Sequence, residues 1–201
     1  MKLVIDRALS LAFFPLLCAL GTGCGAAEGS ATESADLALS SGLDVAARKV
    51  LPALPDPSLA VPAGNNLAFS FDGVGVQIYA CQATATGTAW VFQAPQATLF
   101  DRGKAVGKHF AGPTWEFKDG STVVGAKIAS FTVDPTAIPW LLLQATSHTG
   151  NGRMSDVSYV QRLQTTGGNA PATGCDADHV GDITQVDYTA KYFFYRSTDG
   201  G

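Results

Sequence analysis

The chain has 201 residues, with 13 basic against 17 acidic side chains, a net charge of −4 and 46% apolar residues. A mildly acidic chain without basic runs lacks the electrostatic footprint of a nucleic-acid binder. Its low charge and ample apolar content suit one packed core, which excludes a disordered or highly charged solvating protein.

Lys2 and Arg7 precede an apolar run from Ala8 to Leu20, and the small residues Gly21, Thr22 and Gly23 follow it. That is the layout of a secretory signal. The run is shorter than the roughly 20 residues a helix needs to cross a bilayer core, and Pro15 interrupts it, so a permanent membrane span is not expected. The segment Leu20-Gly21-Thr22-Gly23-Cys24 resembles the lipobox of bacterial lipoproteins, although Gly21 stands where a branched apolar residue is usual. The resemblance implies a lipoprotein-type signal peptide over 1–23 and a lipid on Cys24, which becomes the mature N-terminus; ordinary cleavage near Ala26 or Ala27 is the alternative. Several acyl chains on one cysteine bury enough methylenes for stable anchoring. The expected location is extracytoplasmic, lipid-anchored to the cell envelope at the outer membrane or in the periplasm, with the lipid as the only membrane contact. Removing the signal leaves 11 basic against 16 acidic residues, a net charge of −5.

Residues 24–60 form the next stretch. Gly25 to Ser41 carries almost no large apolar side chain and reads as a flexible tether. Leu43 to Leu51 has the charge order of a short helix, with Asp44 early, Arg48 and Lys49 late and Pro52 ending it. Pro52, Pro55, Pro57 and Pro62 then stiffen the entry to a single β-rich domain spanning 61–201.

Within that domain the apolar period is two. Leu67, Phe69 and Phe71, and then Val74, Val76 and Ile78, alternate with small or polar residues, and Asp72-Gly73 between them is a hairpin signal. The pattern recurs in Ala89 to Ala94, Thr98 to Phe100, Ala105 to Phe110, Thr114 to Lys118 and Ser121 to Ile128. Trp140 to Thr146, Val157 to Gln164 and Gln185 to Tyr195 complete it. About nine or ten short strands without an amphipathic helix among them predict an all-β antiparallel sandwich or barrel. One long connection, Thr165 to Asp182, breaks the rhythm, and loops of that length are usually functional or disordered. It contains Cys175. With Cys18 inside the signal and Cys24 at its end, Cys81 and Cys175 are the remaining pair, and an exported setting predicts a disulfide between them, the alternative being two separate buried thiols.

Ordered motifs run from Val61 to Tyr195: Val61-Pro62-Ala63-Gly64-Asn65, Gly75-Val76-Gln77-Ile78-Tyr79-Ala80-Cys81, Ala97-Thr98-Leu99-Phe100-Asp101 and Val106-Gly107-Lys108-His109-Phe110-Ala111-Gly112-Pro113-Thr114-Trp115. Asp119-Gly120-Ser121, Ile138-Pro139-Trp140, Tyr159-Val160-Gln161-Arg162-Leu163 and Gly167-Gly168-Asn169 through Cys175-Asp176 continue the series. This stretch resembles the exported proteins of domain-of-unknown-function family 3455. The resemblance implies no particular activity.

No cofactor is expected. A nicotinamide enzyme needs a strand, a G-x-G-x-x-G turn and a helix to hold the pyrophosphate, whereas Gly73-Val74-Gly75 and Gly150-Asn151-Gly152 read as hairpin material. His109, His148 and His179 are far apart without metal-ligand spacing, so no metal site is expected. Ser147 and Ser121 lack the G-x-S-x-G setting of a nucleophile, and Glu116 and Asp119 flank a hairpin, where turn-forming roles are commoner than acid-base work. More suggestive is the gathering of His109, Trp115 and Glu116 around Gly112-Pro113, with Trp140 after Pro139, Arg162 in mid-strand and His179 on the long loop. Aromatic walls with a few polar groups make a small-ligand or sugar site, so these six residues are the expected ligand-binding set. Core packing is the expected role of at least two among Trp90, Trp115 and Trp140, and a structural ion pair is the competing role for Arg162. The expected function is a module that binds a small molecule or carbohydrate; a small extracytoplasmic enzyme of unknown chemistry is the alternative.

Overall fold

The computed structural model describes residues 51–198. The expected signal peptide, the lipid on Cys24, the tether and all but the last residue of the short helix lie outside the described residues. Eight antiparallel strands close into a barrel in chain order: β1 (Asn65–Thr84), β2 (Gly87–Asp101), β3 (Lys104–Phe110), β4 (Thr114–Phe117), β5 (Thr122–Phe131), β6 (Trp140–Thr149), β7 (Val157–Gly167) and β8 (Ile183–Ser197). Closure comes from β1 and β8, which pair from Asn65↔Ser197 to Ala80↔Ile183 and so join the two ends of the sheet. No helix among the described residues is long and apolar enough to cross a membrane.

The all-β antiparallel expectation holds in its barrel form, with eight strands instead of nine or ten. Two expected breaks are absent. Asp72-Gly73 lies inside the continuous β1, because that glycine serves packing: a Cβ there would sit 2.5 Å from the ring of Tyr192. Ala89–Ala94 and Thr98–Phe100 form the single strand β2, with Pro95 inside it. Pro95 opposes Gln77 beside the register shift at Ile78/Tyr79, where the ladder is already interrupted and a missing N–H costs little.

Alternate residues turn inward and fill the barrel. Phe69 and Phe71 on β1, Trp115 and Phe117 on β4, and Tyr188, Ala190, Tyr192 and Phe194 on β8 belong to one buried cluster. Several neighbours turn outward and are polar: Asp72 pairs with Lys191 at 3.4 Å, and Glu116 with Lys108 at 3.7 Å. A second cluster, Leu163, Phe193 and Tyr195, lies on the opposite faces of β7 and β8 and packs with Val61, Leu67, Trp140 and Tyr159. The proline-rich entry is fastened there, where Gln161 Nε2 donates to Leu59 O at 2.6 Å and Tyr195 Oη donates to Gln161 Oε1 at 2.6 Å. These bonds satisfy polar groups that burial would otherwise penalise.

The two barrel ends differ. At one, the β6–β7 connection inserts fully buried Met154, and the Arg153 guanidinium lies over the rings of Phe69, Phe117 and Phe71 at 4.5, 5.3 and 5.5 Å. Asp119, on the β4–β5 turn, locks this plug by accepting from the backbone N–H groups of Ser121 and Arg153, each at 2.8 Å. At the other end the long connection after β7 is held to β1 and β2. Cys175 forms a disulfide with Cys81, Trp90 Nε1 donates to Thr173 O at 2.9 Å, and Cys81 N donates to Asp182 O at 2.8 Å. The connection is therefore fixed along the rim instead of filling the barrel, and that end stays hollow.

Candidate functional site

The hollow end holds a cavity of about 330 Å³. Two of its lining residues, His109 and Trp115, lie in one row of the strand register. Tyr188, Gly75, Ala97, His109, Trp115 and Val123 oppose one another in succession around β8, β1, β2, β3, β4 and β5. The small Gly75 and Ala97 in that row leave the barrel axis free for the larger side chains opposite. Above the row, Gln77, Tyr79, Arg162 and Tyr192 supply polar walls, and Phe92, Ile138, Leu141 and Leu143 supply apolar ones.

His109 and Trp115 stack face to face, with ring centroids 4.5 Å apart and planes within 10°. His109 lies 5.1 Å from Tyr192, and its Nδ1 is 2.9 Å from Thr114 O. A carbonyl accepts only, so Nδ1 carries the proton and Nε2 is the basic nitrogen. Burial pulls the His109 pKa down to about 3, the nearby Arg162 charge adds to that, and the bond to Thr114 opposes it. The imidazole is neutral at pH 7. Tyr188 and Tyr192 share a bond of 3.0 Å between their hydroxyls, and burial raises the pKa of both. Tyr79 Oη donates to Gly168 O at 2.6 Å, which ties the wall to the disulfide-bearing connection.

Arg162 is the unusual member. Its Nε and Nη2 donate to Pro139 O at 3.2 and 2.8 Å, and Nη1 has no acceptor among the described residues. It takes part in none of the ion pairs among those residues. Burial lowers its pKa, and the phenols of Tyr192, Tyr188 and Tyr79 work against that shift. Two further donors, Gln77 Nε2 and Trp115 Nε1, are buried without an acceptor among the described residues. A buried donor without a protein partner costs about 1 to 3 kcal/mol, so a guanidinium outside every ion pair of the described residues and two such donors around one cavity suit a ligand that brings acceptors.

Of the six expected ligand-binding residues, the barrel brings His109, Trp115 and Arg162 together. Glu116 follows Trp115 on the same strand and therefore faces outward, toward Lys108. Trp140 lies in the outer cluster with Leu163 and Phe193. His179 sits exposed on the long connection, 2.6 Å from Asp176 Oδ1, which raises its pKa and lowers that of Asp176. Gln77, Tyr79 and Tyr192 join the site without having been singled out by sequence. The available signal was parity: they fall in step with Phe69 and Phe71 on β1, and with Phe194 on β8. Among the described residues no three His, Cys, Asp or Glu side chains gather as a metal site.

No curated protein and no solved structure matches the chain. A family model does, across residues 62–196, from the proline-rich entry to the penultimate residue of β8. The matched span contains all of the barrel but its last strand residue, both cysteines of the disulfide and every wall of the cavity, and the chain belongs to the family described as protein of unknown function, DUF3455.

Proposed function

We propose that the chain is an exported cell-envelope module, lipid-anchored through Cys24, that binds a small organic molecule in the hollow end of its barrel. The observation that carries the binding reading is a cavity whose walls hold buried donors, Gln77 Nε2 and Trp115 Nε1, with no acceptor among the described residues. Its volume lies at the small end of the roughly 300–1,000 Å³ range of ligand sites, and its mixed apolar and polar lining is typical of them. The apolar walls favour a compact ligand over a carbohydrate, whose many hydroxyls would need more partners. Binding is favoured over catalysis because His109, held neutral with a pKa of about 3, is a weak base.

The test uses a panel of neutral and charged fragments screened by ligand-observed NMR against the parent and Ser130→Trp. Ser130 is exposed and lines the cavity, so an indole there covers the mouth without entering the core. Fragments should bind the parent and lose binding to Ser130→Trp at an unchanged melting temperature. Equal binding to both proteins, or none to either, would count against the cavity. Export and lipidation are supported by the signal-like start and by a disulfide suited to an oxidising compartment. Mass spectrometry of membrane-extracted protein should find a diacylglyceryl group on Cys24; a soluble form beginning at Ala26 or later would contradict the anchor.

A further inference from the structure

The charge of the cavity is opposite to that of the chain. Seventeen of the residues are acidic, yet no Asp or Glu among the described residues lines the cavity, while two cations, Arg162 and Lys127, do. The two differ in depth. Arg162 is partly buried among Tyr79, Tyr192 and the Pro139 carbonyl, whereas Lys127 is exposed at the mouth. An enclosed guanidinium without an anion is costly, because the neutral Pro139 carbonyl replaces only part of its lost hydration. Structural arginines in such places are normally paired, and here the usual partner is absent among the described residues.

We propose that the ligand is a monocarboxylate with an apolar body, and that Arg162 supplies its counter-ion. The inference rests on the cavity being a ligand site and adds the ligand's chemical class. Arg162 Nη1 is the donor left over for a carboxylate oxygen, and charge-assisted bonds of this kind are about twice as strong as neutral ones. Gln77 Nε2, also on the wall and without an acceptor among the described residues, is a second donor for the same group. Phe92, Ile138, Leu141 and Leu143 supply an apolar surface that suits an aromatic or branched aliphatic body. One enclosed cation matches one negative charge. A dianionic phosphate would carry a second charge into the apolar walls without compensation, which the same desolvation argument disfavours.

The experiment compares three probes on one skeleton, 3-phenylpropionate, 3-phenylpropanamide and 3-phenylpropan-1-ol, by calorimetry at pH 7 on the intact domain. The acid should bind the parent at least about tenfold more tightly than the amide or alcohol. Arg162→Gln should bring the acid within about twofold of the amide, and Lys127→Ala should keep the preference. Should Arg162→Gln fail to fold, the Arg162 Nε–H resonance of the parent should shift on titration with the acid and stay put with the amide. Equal affinity for acid, amide and alcohol would overturn the carboxylate class and leave the cavity reading standing. So would a fragment panel yielding cavity binders while no probe acid binds. A cavity that takes neither the fragments nor the probes would overturn both.

Discussion

Replacing Cys81 and Cys175 together by alanine should lower the folding stability of the domain by about 4 to 5 kcal/mol. The bond joins residues 94 apart in sequence, and in the chain-entropy picture closing a loop of that length restricts the unfolded ensemble by about that amount. Against a typical net stability of about 5–15 kcal/mol this is a large share. Alanine is preferable to serine because Cys81 is 1% exposed, and a hydroxyl there would add a polar burial cost of its own. Neither cysteine belongs to the aromatic interior, so the barrel should persist in the variant. The rim should loosen instead, since the disulfide holds the connection whose Gly168 carbonyl accepts from Tyr79. Denaturant unfolding of the parent, the reduced parent and the double variant measures the loss. A loss below about 1 kcal/mol would show that the denatured chain is already restricted without the bond, and would refute the entropic account.

The alternation of side chains was legible in the sequence because a pleated strand with one buried face imposes it, and most of the expected strands have a counterpart in the barrel. Closure was not legible. It depends on β1 meeting β8, a pairing of residues more than a hundred positions apart that leaves no local mark. The over-division of the first two strands has a specific cause: glycine and proline are read as chain breaks, yet Gly73 makes room for the Tyr192 ring and Pro95 sits at a disturbed point of the ladder.

The candidate site was legible in its chemistry and less so in its sidedness. His109, Trp115 and Arg162 stood out because large polar or aromatic groups in short strands are few. Glu116 could have been separated from Trp115 at once, since adjacent strand residues face opposite ways. Trp140 was harder. It opens the run Trp140-Leu141-Leu142-Leu143, apolar on both faces, because β6 is covered by the interior on one side and by the outer cluster on the other. Parity cannot say which face of such a strand points inward.

Acidification should cost the domain stability through His109, with a slope opposite in sign to that of an ion-paired histidine. Its folded pKa of about 3 lies below the ordinary 6.5 because burial among Trp115, Tyr192 and the Arg162 guanidinium disfavours the imidazolium. Between those two values the unfolded chain binds one more proton than the folded one, so stability falls as pH falls, by about 1.4 kcal/mol per pH unit. From pH 6 to pH 4 this single group should remove about 2.5 kcal/mol. His179 acts in the other direction: Asp176 raises its pKa, so its contribution is present at low pH and fades as pH rises through the raised value. Asp119, Asp134 and Asp176, whose pKa values are lowered by hydrogen bonds, add losses only as pH drops through the carboxylate range. Comparing the parent with His109→Gln cancels these shared contributions, because glutamine keeps a donor for Thr114 O and does not titrate. Urea unfolding at half-unit steps from pH 4 to pH 7 should show the parent losing stability faster than the variant, by about 1.4 kcal/mol per unit below pH 6. Parallel pH profiles would mean that His109 titrates as though hydrated, so that water reaches the His109–Trp115 stack and the cavity there is wet.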